Sequence, residues 1–155
     1  VNASPLLKSI VAALAEVRLE AVLIGNAAAA IQGAPVTTMD FDFMFRATPV
    51  NLGKLKRFAN RLRAVILRPY YPASGLYRVV NDDLGLQADF VPAIHGVKSF
   101  NSLRSRAEAI VLGESRLWVA SLPDIIASKR AAGRPRDKAV LEVLEATWRE
   151  KNRPQ

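Results

Sequence analysis

The run Glu20-Ala21-Val22-Leu23-Ile24-Gly25-Asn26-Ala27-Ala28-Ala29-Ala30, followed beyond Gly33 by Thr38-Met39-Asp40-Phe41-Asp42-Phe43-Met44-Phe45, decides how this chain folds. Glu20 to Ile24 is apolar and partly β-branched, and Gly25 ends it, which predicts a short buried strand. Asn26 is placed to cap a short alanine-rich helix that stops at Gly33. Thr38 to Phe45 alternates Met39, Phe41, Phe43 and Phe45 against Thr38, Asp40, Asp42 and Met44. That period of two predicts a second strand with one apolar face.

Asp40 and Asp42 are out of place in such a strand. Two residues apart, their side chains leave the same face, roughly 6–7 Å from each other along the chain. Carboxylates that close repel when both are ionised. A divalent cation relieves the repulsion, and oxygen-only donors favour Mg²⁺ or Mn²⁺. Two such ions about 3.5–4 Å apart would suit phosphoryl transfer. A third acid, Asp89, lies in Leu86-Gln87-Ala88-Asp89-Phe90-Val91, again strand-like. The bland alternative is a solvent-facing Asp on each strand, and Asp-x-Asp alone is a weak signal. The turn Gly25-Asn26, between strand and helix, lets a phosphate approach the backbone. It is neither a P-loop nor a dinucleotide fingerprint, because the Lys-Ser/Thr and the further glycines are missing.

The pattern extends outward. Ser4-Pro5 opens a first helix that runs to about Val17. Asn51 to Ala64 is a basic amphipathic helix with Leu52, Leu55, Phe58, Ala59 and Leu62 inward. Leu76–Val80 and Leu84–Val91 flank the polar cluster Asn81-Asp82-Asp83 as a hairpin. Ile110, Leu112, Leu117 and Val119 suggest another pair around Gly113. Ser121-Leu122-Pro123-Asp124 has the form of a capping box and opens a helix closed by Gly133. A last helix spans Arg136 to Glu150. The order gives an α/β or α+β fold, with a small mixed sheet flanked by helices and a helical C-terminal part. No linker divides the chain, so one domain covers 1–155, with a core over about 18–120 and C-terminal helices over about 121–150.

Composition bounds the chemistry. The 155 residues are 50% hydrophobic and 23% charged, and mean hydropathy is +0.10, which excludes a disordered chain. With no cysteine there is no disulfide scaffold, thiolate metal site or cysteine nucleophile. The longest uncharged run, Ala21 to Met39, is broken by Gly25, Asn26, Gln32, Gly33 and Pro35 and does not read as a membrane span. The expected location is the cytoplasm.

Lys and Arg number 22 against 14 Asp and Glu, a net charge of +8. Residues 43–81 hold eight basic side chains and no acid, so the other residues balance at 14 against 14. That concentration points to nucleic acid or polyphosphate, with a solvated helix face as the plain alternative. Arg46, Lys54, Arg57, Arg61 and Arg68 are the candidate acceptor surface. His95, the one histidine, reads as a loop residue. Tyr70 and Tyr71, beside Arg68, could stack on a base or close a loop over the core.

Taken together, the strand, Gly25-Asn26, Asp40-Phe41-Asp42 and the distant Asp89 resemble the polymerase-β-type nucleotidyltransferase superfamily. The wording Val22 to Ala30 and Gly33 to Thr38 looks like its minimal bacterial members, including the toxins of abortive-infection (AbiEii-like) systems. Leu122 to Arg130 and Gly133-Arg134-Pro135-Arg136-Asp137 resemble their C-terminal lysine and Arg/Lys-Asp motif. The resemblance covers about residues 20–148. It implies a palm-type sheet and transfer of an NMP from an NTP to an acceptor hydroxyl, on RNA such as tRNA, on a protein, or on a small molecule of aminoglycoside type. It implies Asp40, Asp42 and Asp89 as catalytic and metal-binding residues around Mg²⁺ or Mn²⁺, two ions in all. Gly25, Asn26 and Lys129 would bind the nucleotide, and Asp137 would support the site. A cognate antitoxin protein would be a partner. Asn26 departs from the usual Gly or Ser, which also leaves room for a non-catalytic nucleotide or RNA binder. Val140 stands where many relatives carry another Asp.

Overall fold

A computed structural model describes residues 4–38 and 40–154. The chain forms α1 (Ser4–Val17), β1 (Ala21–Ile24), α2 (Gly25–Ile31), β2 (Phe41–Phe45), α3 (Pro49–Arg61), β3 (Val65–Leu67), β4 (Tyr77–Asn81), β5 (Leu86–Val91), α4 (Phe100–Arg106), β6 (Glu108–Leu112), β7 (Ser115–Val119), α5 (Leu122–Ala132) and α6 (Pro135–Lys151). The strands make one mixed sheet in the order β3-β4-β5-β2-β1-β7-β6. β2 runs parallel to β5 and β1 parallel to β7, and the other neighbours are antiparallel. This is the mixed α/β architecture expected.

Local chemistry explains where the elements begin. The Thr48 hydroxyl accepts from the Asn51 N–H at 3.2 Å and Pro49 follows it, so α3 starts two residues before the first apolar repeat suggests. Ser121 caps α5 in the same way, and Gly133, at φ 64°, closes it in the left-handed conformation. Two elements escape the sequence pattern. β3 has three residues at the sheet edge, two of them exposed, and carries no alternation to read. α4 has seven residues, capped by the Ser99 hydroxyl accepting from the Ser102 N–H at 3.1 Å. The second strand is shorter than Thr38–Phe45: Asp40 sits in a bend just ahead of it, and Met39 lies outside the described residues.

The two faces of the sheet differ sharply. Phe41, Phe43 and Phe45 of β2 share a face with Leu86, Ala88 and Phe90 of β5, and all six are buried. Phe43 and Phe90 stack with ring centres 5.0 Å apart, and Phe58 of α3 meets Phe90 edge-on at 5.4 Å. α3 therefore covers this apolar face, with α1 packed beside it. Asp42 and Asp89 project from the other face, where α2 packs on α5 and α5 on α6. Among the described residues no helix is long and apolar enough to cross a membrane.

Phe90 is the hub of the aromatic cluster. Phe90→Ala is expected to destabilise the protein by about 3–5 kcal/mol in chemical denaturation, because the fully buried ring leaves a cavity that its neighbours only partly fill.

Candidate active site

On the polar face a cavity of about 800 Å³ is lined by Gly25, Asn26, Asp40, Asp42, Asp89 and Lys129. Residues from four separate stretches of chain thus meet in one place. The β2–β5 register sets Asp42 beside Asp89, and the β4–β5 register sets Arg78 beside Asp89. Gly25 turns the chain from β1 into α2 at φ 69°, and a Cβ there would stand 3.1 Å from Asp42 Oδ2. Glycine is needed both for the backbone conformation and for the close approach of the carboxylate. Asn26 does not cap the helix, as its position had suggested. The helix begins at Gly25, so Asn26 falls in its first turn, and among the described residues its buried Oδ1 has no hydrogen-bond partner.

The three acids differ electrically. Asp42 is raised from 3.8 to about 6, first by burial, then by the negative charges of Asp89 and Asp40, with Lys129 and Arg78 opposing. Asp40 is exposed at the rim. Asp89 is held by Arg78, whose Nε and Nη2 donate to its two oxygens at 2.9 and 3.0 Å. That bidentate bond is the main reason the Arg78 guanidinium is shifted up.

Whether a divalent cation fits can be asked of these residues. Asp40, Asp42 and the Oδ1 of Asn26, which has no partner among the described residues, are hard oxygen donors on one cavity, and a cation there would relieve the repulsion that Asp89 and Asp40 exert on Asp42. Asp89 fits less directly, because both its oxygens are engaged by Arg78. Among the described residues no group of three His, Cys, Asp or Glu side chains stands ready to hold a metal ion.

α5 and α6 supply the facing wall. The Lys129 ammonium is half-buried and lowered by burial, with Asp137, 3.7 Å away, acting against that shift. Asp137 is buried, yet its carboxyl is lowered. Burial acts to raise it, but the Arg134 hydrogen bonds and the Arg134 and Lys129 charges outweigh that effect. Its Oδ2 accepts from Arg134 Nε at 2.6 Å and from the Arg134 backbone N–H at 3.3 Å, which caps α6. Asp137 thus fixes the start of α6 and holds Lys129 on the cavity wall. Asp124, also buried, accepts from Arg106 Nε and Nη2, both at 2.9 Å, and so ties α4 to the first turn of α5.

The expected acceptor surface lies elsewhere. None of Arg46, Lys54, Arg57, Arg61 or Arg68 is among the residues lining the acid cavity. The reason is the sheet: Lys54, Arg57 and Arg61 belong to α3, which covers the opposite face. With Arg18 they border a separate depression of about 470 Å³. Arg46 is bound to Glu20 and Asn101 and lies over Phe100. Arg68 is stacked between Tyr71 and Tyr77. The cations that do line the cavity with Lys129 are Arg78, Arg134 and Arg136. Composition counted Arg78 in the basic stretch but could not place it, and Tyr70, also on the wall, was one of two undecided tyrosines.

No protein-family model matches the chain, and no curated protein sequence does. Solved structures do match. The crystal structure of ANT(2'')-Ia with adenylyl-2''-tobramycin aligns at a TM-score of 0.65 and 18% identity, over 96% of this chain and 89% of that one. A Thermotoga maritima protein assigned as a nucleotidyltransferase aligns at 0.64 and 16%, over 96% and 92%. This chain has the nucleotidyltransferase fold. A nucleotidyltransferase-like antigen of Paracoccidioides brasiliensis aligns at 0.59 and 11%, over 93% of this chain and 74% of that one. At such identities the likeness concerns the fold alone and does not extend to the AbiEii-type subgroup.

The raised Asp42 makes a stability prediction for this nucleotidyltransferase fold without added cation. Folding favours the protonated carboxyl, so its contribution is fully present below about 3.8 and lost as pH rises through about 6. Asp42→Asn, which never ionises, should gain about 1–3 kcal/mol relative to wild type between pH 4 and pH 7.5. Denaturation midpoints of the two proteins across that range check it, and a constant difference would contradict it.

Proposed function

We propose that the protein transfers a nucleoside monophosphate from an NTP to an acceptor hydroxyl, and that the acceptor is RNA. The observation that carries this reading is the convergence of Gly25, Asn26, Asp40, Asp42, Asp89 and Lys129 on one cavity in a nucleotidyltransferase fold. The cations that line this cavity, Arg78, Lys129, Arg134 and Arg136, support a polyanionic acceptor.

In this reading the Gly25–Asn26 corner and Lys129 bind the triphosphate, with the lysine charge placed toward the departing pyrophosphate. Asp40 and Asp42 would hold the divalent cation, Mg²⁺ or Mn²⁺. Bound there, it would neutralise charge on the α-phosphate. The acceptor oxygen bonds to the α-phosphorus, the bond to the bridging oxygen breaks, and pyrophosphate leaves. The hydroxyl proton passes to Asp89, which Arg78 holds in position. Asp137 keeps Lys129 on the wall. The work of the chain is thus orientation and charge placement.

A second reading is an aminoglycoside acceptor, which the fold likeness to ANT(2'')-Ia favours. Incubating α-³²P-labelled NTPs with RNA, an aminoglycoside and a protein mixture in parallel separates the two. Label should enter RNA in the presence of Mg²⁺. Asp40→Asn with Asp42→Asn should reduce transfer by at least about 10³-fold while the circular dichroism spectrum is kept. Transfer at the wild-type rate by that double variant would contradict the assignment. Induced expression in a bacterial host checks the toxin role: growth should stop with wild type and continue with the double variant.

A further inference from the structure

The order of strands lays the cavity out from one end to the other. Gly25 and Asn26 follow β1, Asp40 and Asp42 belong to the β2 stretch, Asp89 to β5, and Arg78 to β4. With the triphosphate at the Gly25 end, as in the reading above on which this inference rests, an in-line displacement brings the acceptor from the opposite side of the α-phosphorus. That side is the β5–β4 end, where Tyr70 and Arg78 line the wall.

Tyr70 is an unusual residue to find there. Its side chain is 80% exposed, so it adds little to the core. Its φ is 64°, a left-handed conformation that a tyrosine rarely adopts. The loop is nevertheless well secured. The Arg68 guanidinium lies 4.5 Å from the centre of the Tyr71 ring and 3.8 Å from that of Tyr77, and its Nε donates to the Leu76 carbonyl at 3.1 Å. The Ser74 N–H donates to the Tyr70 carbonyl at 3.1 Å. These contacts hold the loop on the edge of the sheet and display an aromatic face at the cavity.

Charge narrows what that face receives. Asp89, the acid of β5, is engaged at both oxygens by Arg78, and Asp40, whose charge also reaches Arg78, is committed to the cation in the reading above, so an ammonium-rich acceptor competes for both. Arg78 uses Nε and Nη2 on Asp89, which leaves Nη1 of a side chain that is 31% exposed for a phosphate oxygen. A flat aromatic face beside a guanidinium suits a base and its adjoining phosphate.

We propose that Tyr70 and Arg78 form the acceptor subsite and that it takes the terminal nucleoside of a single RNA strand, with the base stacked on Tyr70. The subsite lies on the acid side of the sheet, away from the basic depression of α3.

The test uses a fluorescently labelled ribotrinucleotide and follows its anisotropy with wild type, Tyr70→Phe and Tyr70→Ala. Tyr70→Ala should weaken binding about tenfold or more, and Tyr70→Phe, which keeps the ring, about twofold at most. NTP affinity measured by calorimetry with Mn²⁺, and the unfolding midpoint, should be the same in all three. Equal trinucleotide affinity of Tyr70→Ala and wild type overturns the proposal, as does an aminoglycoside that competes with the trinucleotide and loses affinity in Tyr70→Ala. Wild type that does not bind NTP at all would instead remove the nucleotidyl-transfer reading, and this inference with it.

Discussion

Asp42 and Asp89 lie side by side on adjacent parallel strands, and the rest of the site is arranged around that juxtaposition. Strand alternation leaves little choice in the matter. With Phe43 and Phe90 stacked in the core, the neighbouring acids must emerge together on the other face. A shift of one residue in either strand would bury a carboxylate among phenyl rings and expose a ring to the cavity, so the aromatic core fixes the register of the acids. The core therefore does two things: it stabilises the sheet, and it holds like charges close together.

The fold compensates the two charges differently. Arg78, the antiparallel neighbour of Asp89, closes on that carboxylate with two hydrogen bonds. Asp42 has no such partner among the described residues, and it is the carboxyl displaced upward. Gly25 allows the backbone of the β1–α2 turn to come close to it, and Asn26, whose buried Oδ1 has no partner among the described residues, lines the same cavity. A polar group left unsatisfied in a folded protein costs stability, and Asn26 Oδ1 is such a group at the Gly25 end of the cavity. The opposite end, at Asp89 and Arg78, is already balanced.

Much of this was legible in the residues because it rests on periodicity. The alternation of Phe41 to Phe45 with Asp40 and Asp42 marked β2 and its two faces, and Ser121 and Gly133 marked both ends of α5. What was not legible depends on pairing between distant segments. The turn Asn81-Asp82-Asp83 suggested a hairpin, but its 3-10 turn extends through Leu84 to Gly85, and that offset is what brings Arg78 opposite Asp89. The ring stack on Arg68 joins a residue before the Tyr70 loop to Tyr77 beyond it, a closure with no periodic trace. The short edge strand β3 and the seven-residue α4 lack the length that makes a pattern visible.

The basic stretch shows why net charge locates a partner poorly. Its eight cations are contiguous in sequence but separate in space. Arg78 faces the acid cavity, Arg68 is stacked between tyrosines, Arg46 is tied to Glu20, and Lys54, Arg57 and Arg61 lie behind the sheet. A helix that buries Leu55 and Phe58 against the aromatic core has to turn its charged side away from the sheet. The same apolar face that aligns Asp42 with Asp89 therefore sends the α3 cations to the far side of the molecule. A polyanion that used both surfaces would have to pass around the edge of the sheet, whereas the acid cavity carries its own cations, Arg78, Lys129, Arg134 and Arg136, beside its acids. That local set, rather than the total of +8, is the charge that a ligand entering the cavity would meet.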